Sequence, residues 1–332
     1  MRKKAIIFLT TFFLMLGVGI LSWPKINLFF FKNEDSLSDY PKTEEDNWLN
    51  DDKKTATKVR LLFGGDLMFD RHIRFKSQQR GSYDPIFSDL KEFFLEYDLV
   101  VANLEGPITQ NSSLSLGTVP GTPKNFIFTF DLQVAPLLAN HNIRLVSLGN
   151  NHILNFGREG LLTTREYLTD SGVSFFGFTG DRQNRTITKE INGLVLGFVN
   201  YNQFLEGGLV AAKEDIASLA GKVDWLILYS HWGNEYQPRA GAVIEKLARE
   251  FIDQGVDLII GSHPHVVQQK EIYQGKTIYY SLGNFVFDQF FQPEVERGIL
   301  VELIIDVKTK EAVSKEWPIK MTREGKTIFY SN

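Results

Sequence analysis

Short apolar runs that end in residues able to bind a metal ion are the feature that most constrains how this chain can fold. The clearest is residues 257–265, DLIIGSHPH, where a short apolar run is followed at once by a glycine and two histidines. A short apolar run bounded by a turn residue is typical of a buried strand. Ligands of open α/β sheets bind just beyond the carboxyl ends of the strands, and imidazole binds Zn, Fe, Ni and Cu well. The stretch therefore predicts a strand that carries two imidazoles to a binding site.

Four earlier runs show the same arrangement, an apolar segment followed by an oxygen or nitrogen donor. They are VRLLF at 59–63 before Asp66, LVVA at 99–102 before Glu105, RLVSLG at 144–149 before Asn151 and His152, and DWLILY at 224–229 before His231. Each of these alone could be an ordinary turn or a helix cap. Because all five strand ends agree, the sequence predicts one shared metal site. Its candidate ligands are Asp66, Glu105, Asn151, His231, His263 and His265.

The segments between these runs have helical spacing, and alternating strands and helices are typical of an α/β fold. Helices are predicted at 86–97, 131–140 and 160–170, around Ile216, and at 238–254. Further strands are predicted at 173–176 and 194–199. After residue 270 the pattern changes to short strands separated by glycine turns, which favours antiparallel pairing. These strands are predicted at 270–273, 277–281, 298–306 and 315–320.

The amino terminus predicts a membrane anchor. Basic residues at positions 2–4 precede an uncharged run at 5–23, close to the ~20 residues that cross a bilayer as a helix. A cleaved signal peptide would have a shorter apolar region and a small-residue cleavage site, whereas this run ends in LSWPK. We therefore favour an uncleaved signal anchor over residues 1–23. By the positive-inside rule, the chain would be a single-pass protein of the cell membrane with its carboxyl-terminal domain outside the cytoplasm.

The rest of the chain divides into a linker and one domain. Residues 24–58 contain an acid-rich stretch with many Ser, Asn and Lys residues, which predicts a disordered acidic linker, and 59–332 would form the folded domain. The chain has no cysteine, which excludes disulfides, thiolate ligands and a cysteine nucleophile. Its formal net charge of −4 argues against a general nucleic-acid-binding protein.

The motifs at the strand ends resemble those of the CapA (PgsA) family of poly-γ-glutamate capsule proteins. The matching stretches are GDLMFDR at 65–71, NLEGPIT at 103–109, NNHILNFG at 150–157, HWGNEY at 231–236, GSHPHVVQ at 261–268 and YSLGNFVFD at 280–288. The resemblance covers about residues 60–290. That family is similar to the calcineurin-like metallophosphatases. The resemblance therefore implies their fold, a four-layer α/β/β/α sandwich with two mixed sheets.

The resemblance also implies roles for individual residues. The six candidate ligands would hold one or two divalent ions, Mn, Zn or Fe, with His263 and His265 serving different ions. Asp66 and His152 would be catalytic, and His152 would be the proton donor. Met68 stands where the superfamily has a histidine ligand, so one ion would keep Asp66, Glu105 and His265 only. Asn155 stands where CapA-like proteins commonly have an aspartate, which changes the local charge.

The function implied by the resemblance is the synthesis, export or trimming of poly-γ-glutamate or a similar anionic polymer of the cell envelope, with metal-dependent hydrolase chemistry. Arg71 and Arg74 are the candidates for binding its carboxylates, because arginine binds anions bidentately. The expected partners are that polymer, membrane subunits for synthesis or export, and the membrane itself. Two alternatives stay open: a metal-dependent phosphatase or phosphodiesterase, and a non-enzymatic, metal-containing subunit of a membrane polymer synthase.

Overall fold

The structure is a computed structural model that describes residues 57–330. The predicted anchor at residues 1–23 and nearly all of the predicted linker at 24–58 lie outside the described residues. Within 57–330, no helix is both long and apolar enough to cross a membrane.

The first of two mixed sheets contains eight strands and is built around the first predicted apolar run. In spatial order they are β14 (Thr327–Phe329), β13 (Ala312–Met321), β12 (Arg297–Asp306), β1 (Lys58–Leu67), β2 (Leu99–Leu104), β3 (Ile143–Ser147) and β4 (Ser174–Phe176), with β11 (Asn284–Val286) also paired to β1. Strands β1 to β4 pair in parallel, whereas β12 to β14 pair antiparallel. The three apolar runs at 59–63, 99–102 and 144–149 therefore become neighbouring parallel strands.

The second sheet contains six strands and includes the two apolar runs nearest the carboxyl terminus. In spatial order they are β5 (Ile187–Ile191), β6 (Leu194–Asn202), β7 (Trp225–His231), β8 (Leu258–Ser262), β10 (Lys276–Tyr279) and β9 (Lys270–Tyr273). The four central strands pair in parallel, and the two outer strands pair antiparallel. Strands β7 and β8 therefore present their carboxyl ends at the same edge of this sheet.

Helices cover the outer face of each sheet. They are α1 (Arg71–Arg80), α2 (Lys91–Phe94), α3 (Val134–Asn140), α4 (Gly157–Asp170), α5 (Gly208–Leu219) and α6 (Ala242–Asp253). Because successive side chains of a strand point to opposite faces, Phe63 of β1 lies in the core between the sheets while Leu62 packs in the core beneath the helices. A third core joins β7 and β8 to α5 and α6. The layers are thus helix, sheet, sheet and helix, which confirms the predicted four-layer sandwich with two mixed sheets.

Strand β1 runs on to Leu67, so Gly64 and Gly65 lie inside the strand. The lack of a side chain at Gly65 lets a neighbouring segment approach the strand closely. A Cβ atom on Gly65 would lie 1.9 Å from the backbone oxygen of Gly283. The glycine therefore allows two backbones to come together directly beside Asp66.

The helix predicted at 86–97 is the largest departure among the predicted helices. The structure has a 3-10 turn at Asp84–Ile86 and the single turn of α2 instead. Phe87, Leu90 and Phe94 are buried, as helical spacing requires. Between them the backbone forms i,i+3 hydrogen bonds, such as Leu90 N to Phe87 O at 2.9 Å. These apolar side chains are therefore buried by a series of short turns rather than by a continuous helix.

Candidate metal centre

Polar side chains from both sheets converge where the parallel strands end. Asp66 lies near the end of β1, Glu105 directly follows β2, Asn151 and His152 follow β3, His231 is the last residue of β7, and His263 and His265 follow β8. The backbone N–H of His263 donates to Oδ2 of Asp66 at 3.0 Å, although 197 positions separate the two residues. The sandwich thus assembles one site from distant parts of the chain.

Two groups of donor atoms are close enough to hold a cation. Asp66, Glu105 and His231 each offer one ligand atom within 4.8 Å of the others, and Glu105, His263 and His265 form a second such group. The ring centroids of His231 and His263 are 4.8 Å apart. All five residues are buried. Since Glu105 belongs to both groups, it is placed to bridge two ions.

This grouping differs from the division implied by the family resemblance. That division assigned His263 and His265 to different ions, whereas the structure places both in one group with Glu105. His265 nevertheless lies close to the other group, because its Nδ1 is 3.4 Å from Oδ2 of Asp66. The donor atoms therefore form one continuous cluster.

Glu105 is the residue that most requires a cation. Both of its carboxylate oxygens are buried and have no hydrogen-bond partner within residues 57–330. Three histidine Nε2 atoms surround Oε1, those of His152 and His265 at 3.8 Å and that of His231 at 4.0 Å. Burial raises the pKa of Glu105 well above its usual range, and the charge of Asp66 adds to this. Buried carboxylates are normally paired or bound to a metal, so the carboxylate and imidazole donors here fit a divalent ion.

Polar partners outside the cluster fix the orientation of His265. The Nδ1 atom of His265 lies 3.0 Å from Oδ1 of Asn284. The amide nitrogen of Asn284 donates to Gln289 and to the backbone oxygen of Val295, which identifies its Oδ1 as an acceptor. Nδ1 of His265 therefore carries the proton, and the unprotonated Nε2 faces Glu105. An outer partner that fixes the tautomer in this way is usual for a metal-binding histidine.

His231 is oriented by the same principle. Its Nδ1 lies 3.0 Å from Oγ of Ser262, which donates its only hydrogen to the backbone oxygen of Ser230 at 2.9 Å. Nδ1 of His231 also lies 3.3 Å from the amide nitrogen of Asn103, and its Nε2 lies 2.9 Å from Oδ1 of Asn151. Both ring nitrogens are therefore held by polar partners, which fix the orientation of the ring. Burial lowers the pKa of His231 to about 3, so the ring is neutral at pH 7 and able to bind a metal.

His152, the predicted proton donor, is held by Asn155 and Phe128. Oδ1 of Asn155 accepts the backbone N–H of Phe128 at 2.8 Å and lies 3.1 Å from Nδ1 of His152. The proton of His152 therefore lies on Nδ1, and the ring packs against Phe128 with centroids 4.3 Å apart. Burial lowers the pKa of His152 to about 4. His152 is therefore neutral at pH 7, with an open Nε2, and must take up a proton before it can donate one.

Asp66 is held in its ionised form. Asn103 donates to Oδ1 at 2.8 Å, and the backbone of His263 donates to Oδ2. Although burial favours the neutral acid, the hydrogen bonds of His265 and Asn103 to the carboxylate bring the pKa of Asp66 down to about 2. Hydrogen bonds to the charged form have this effect. Asp66 therefore offers a negative charge to a cation at any physiological pH.

The two histidines after β8 adopt backbone conformations that non-glycine residues rarely use. The φ angle is 97° at His263 and 59° at His265. Such conformations cost on the order of 1–3 kcal/mol each and cluster at functional sites. Burial lowers the pKa of His263 to about 2, and its Nδ1 atom has no partner within the described residues. The strained turn thus directs a neutral imidazole into the cluster.

Arg71, a predicted substrate-binding residue, lies beside the cluster and is already paired. Its guanidinium contacts Asp288 and donates to Oδ1 of Asn125 at 3.1 Å. It also lies 5.0 Å from the ring centroid of Phe128 and 5.4 Å from that of Phe287. Those rings pack against His152 and His265, respectively. Arg71 therefore supports the wall of the site.

Arg74, the other predicted substrate-binding residue, is paired within the protein. Its side chain is buried and its guanidinium is bonded to Asp70, to Asp131 and to the backbone oxygen of Thr129. These bonds give Arg74 a structural role, and its contact with substrate stays a prediction. The i,i+4 spacing from Asp70 was the signal for this pairing.

Met68 lies in the core rather than at the cluster. Its side chain is fully buried among the apolar residues beneath the helices. Its Sδ lies 3.0 Å from the backbone nitrogen of Asp70. The position that carries a histidine ligand in the superfamily is therefore used here for packing.

Several buried polar residues at the site were not singled out from the sequence. Asn103, Asn150, Ser262 and Asn284 hold the ligands or one another through their side chains. Asn150 also accepts the backbone N–H groups of His152 and Ile153. The sequence signal that could have identified them is a polar residue at the end of an otherwise apolar strand. Such outer partners commonly contribute about 10–100-fold to metal affinity or activity.

Comparisons with known proteins show which family this chain resembles. A sequence model for the family described as "Bacterial capsule synthesis protein PGA_cap" matches residues 60–289. The chain is 28% identical over 244 residues to the PGA biosynthesis protein CapA of Bacillus subtilis (strain 168), covering 68% of this chain and 63% of that protein. It is 25% identical over 252 residues to the capsule biosynthesis protein CapA of Bacillus anthracis, covering 70% of this chain and 60% of that protein. The chain thus spans about three fifths of the length of these relatives.

Among solved structures, a hypothetical protein from Thermus thermophilus aligns with a TM-score of 0.49 and 18% identity, over 78% of this chain and 99% of that chain.

Proposed function

Because the chain belongs to the PGA_cap family of bacterial capsule synthesis proteins, we propose that it acts in the synthesis, export or trimming of poly-γ-glutamate or a similar anionic capsule polymer. We place this activity outside the cytoplasm on a protein held at the cell membrane by residues 5–23, as their uncharged sequence suggests. The sequence contains no Walker A glycine-rich loop. Polymerisation itself would therefore belong to a partner protein in the membrane.

The observation that carries this proposal is Glu105, a buried carboxylate without a hydrogen-bond partner that faces three histidine Nε2 atoms. The cluster would hold one or two divalent ions through Asp66, Glu105, Asn151 and the three histidines at 231, 263 and 265. When bound, such ions polarise the group under attack and activate water. Trimming of the polymer by hydrolysis is the reaction that this chemistry supports best.

His152 would move a proton in that reaction. Its neutral ring offers Nε2 as an acceptor 3.8 Å from Oε1 of Glu105, while Asn155 and Phe128 fix the ring. A group in this position can accept a proton from an attacking water and return it to the leaving group. The low pKa of His152 keeps the ring neutral at pH 7, and it makes the protonated ring a ready donor to the leaving group.

The test is metal analysis of the full-chain protein combined with a hydrolysis assay on poly-γ-glutamate, before and after chelation. We expect bound divalent metal, hydrolysis that returns when metal is restored, and loss of hydrolysis in His152→Ala. His72→Ala is the matched control, because the Nε2 of His72 lies 2.7 Å from the backbone oxygen of Arg323, outside the cluster. Intact polymer production in cells carrying His152→Ala, with no hydrolysis by the wild type, would instead favour a non-enzymatic synthase subunit.

A second candidate function, phosphodiester hydrolysis, is favoured by one observation. Glu105 is common to both donor groups, and a shared carboxylate is suited to the paired ions that many phosphatases use. A chromogenic phosphodiester assayed with Mn²⁺ or Zn²⁺ separates the two functions. Turnover of the diester without turnover of poly-γ-glutamate would replace the first proposal with the second.

A further inference from the structure

Two cavities adjoin the metal centre and share one residue, Tyr236. The first cavity has a volume of about 870 Å³ and the second about 640 Å³. The ring of Tyr236 lies 6.1 Å from that of His265. Val266, the residue after His265, lines the second cavity. Tyr236 and Val266 thus connect the cavities to His265, although no donor residue of the centre lines either cavity.

The cations of the first cavity are already engaged. Arg71 is paired with Asp288, and the Nε2 atom of His72 lies 2.7 Å from a backbone oxygen. The exposed surface there is largely aromatic, since Phe75 is 51% exposed and Phe291 is 63% exposed. This cavity consequently offers little to attract a chain of carboxylates.

The second cavity contains an arginine whose guanidinium is free. Arg297 is half-buried, and it has no ion pair or side-chain hydrogen bond with any residue in 57–330. Its guanidinium carbon lies 4.7 Å from the ring centroid of Tyr330, which fixes the plane of the group. A stacked guanidinium keeps its N–H edges available for a carboxylate.

The charges near the second cavity nearly balance. Glu316 is paired with Lys270 at 2.6 Å, and Lys320 lies 5.5 Å from the centroid of the same Tyr330 ring. Glu294 is an exposed acid at the rim, and Glu235 lies beside Tyr236. A carboxylate would therefore be bound by the free N–H edges of Arg297 rather than drawn in by net charge.

We propose that Arg297 binds a carboxylate of the polymer substrate in the second cavity and thereby positions a neighbouring bond at the metal centre. This inference rests on the proposed function, because it takes a carboxylate-bearing polymer as the ligand. Arginine binds carboxylates through two parallel hydrogen bonds. Arg297 thus takes the role that the sequence assigned to Arg71 and Arg74, both of which are paired within the protein.

The test is titration calorimetry of γ-glutamyl oligomers into the full-chain, metal-loaded protein at low ionic strength. We expect Arg297→Met to weaken binding by about 10-fold or more, which is the loss of one charge-assisted interaction. Arg297→Lys should retain part of the affinity, since it keeps the charge and loses the planar fork. Arg182→Met is the control, because Arg182 is exposed and lines neither cavity. Metal content and thermal unfolding of each variant check that the fold is retained.

The possible outcomes distinguish the role of Arg297 from the proposed function. Equal affinity of Arg297→Met and the wild type for γ-glutamyl oligomers would overturn the role of Arg297 and leave the proposed function standing. Binding of poly-α-glutamate alone, lost in Arg297→Met, would keep the carboxylate site and overturn the proposed polymer. No binding of either polymer by the wild type would overturn both. If Arg297→Met does not fold, the reduced affinity expected of Arg297→Lys decides the question.

Discussion

The core between the sheets and the metal centre at its edge are built from the same strands and are equally buried, yet their chemistry is opposite. Strand β1 contributes Phe63 to the core and Asp66 to the centre, and β7 contributes Tyr229 and His231 in the same way. All four side chains are at most 1% exposed. Burial alone therefore does not separate stabilising residues from functional ones. What separates them is where their polar atoms converge. The hydroxyl of Tyr229 bonds to the backbone oxygen of Gly64, whereas Asp66 and His231 present donor atoms to a cluster that includes Glu105.

The largest expected effect concerns the core between the two sheets. Phe63→Ala should lower the free energy of unfolding by about 3–5 kcal/mol, because it removes a fully buried aromatic side chain and leaves a cavity. Denaturant unfolding of chelator-treated protein measures the change. Phe63→Leu is the control, with an expected loss well below that of alanine. An equal loss for the two variants would show that the core is not tightly packed.

The next effect tests the centre. His263→Ala should weaken divalent metal binding by more than about 100-fold, because it removes a ligand, and loss of an outer partner alone costs about 10–100-fold. Because alanine also carries a Cβ, the unfavourable backbone conformation at this position would remain. The metal-free protein should lose little stability, since the Nδ1 atom of His263 has no partner within residues 57–330. Competition with a chelating dye and denaturant unfolding provide the two measurements. Unchanged metal affinity would remove His263 from the ligand set.

A smaller effect is expected from an outer partner. Ser262→Ala removes a hydroxyl that lies 3.0 Å from Nδ1 of His231 and holds its ring, and we expect metal affinity to fall by about 10–100-fold. Ser262→Thr keeps a hydroxyl and serves as the control in the same competition assay. A drop of similar size in both variants would point to a packing defect rather than to loss of the hydrogen bond.

The smallest expected effect is a pH-dependent change in the stability of the metal-free protein, caused by Glu105. The folded-state pKa of Glu105 is raised, so its contribution to stability is fully present below its unfolded pKa and is lost as pH rises toward the folded value. Glu105→Gln should therefore stabilise the metal-free protein at pH 8 by about 1 kcal/mol relative to the wild type, since a buried unpaired charge is removed. The difference should shrink at pH 4. Unfolding at both pH values measures it, and a difference independent of pH would contradict the assignment.

The sequence predicted the strands that reach the centre because each combines an apolar run with a polar end. It missed α1, whose sequence RHIRFKSQQR lacks an apolar stripe. That helix depends on its ends: Asp70 accepts the first backbone N–H, and Gly81 closes the last turn with φ of 72°. It also missed β5, β11 and β14, which are short strands at sheet edges or beside a stronger strand. Their formation depends on pairing with distant segments, which local sequence does not report.

The site was more predictable in its ligands than in its surroundings. Donor residues at strand ends can be read from position, so Asp66, Glu105 and the histidines could be grouped in advance. Arginine partners cannot be read in this way, because Asp131 and Asp288 lie far from Arg74 and Arg71 along the chain. The free guanidinium of Arg297 was hidden for the same reason. A charge becomes available or unavailable only through tertiary contacts.

The hydrogen bond from His263 to Asp66 joins the first and eighth strands of the chain, and this has a consequence for maturation. Such a contact of high sequence separation closes late, since a long loop must be ordered first. The pocket consequently does not exist on a nascent or partly folded chain. An ion bound there would be drawn from the compartment where folding is completed, so the place of maturation, as well as ligand chemistry, would select it.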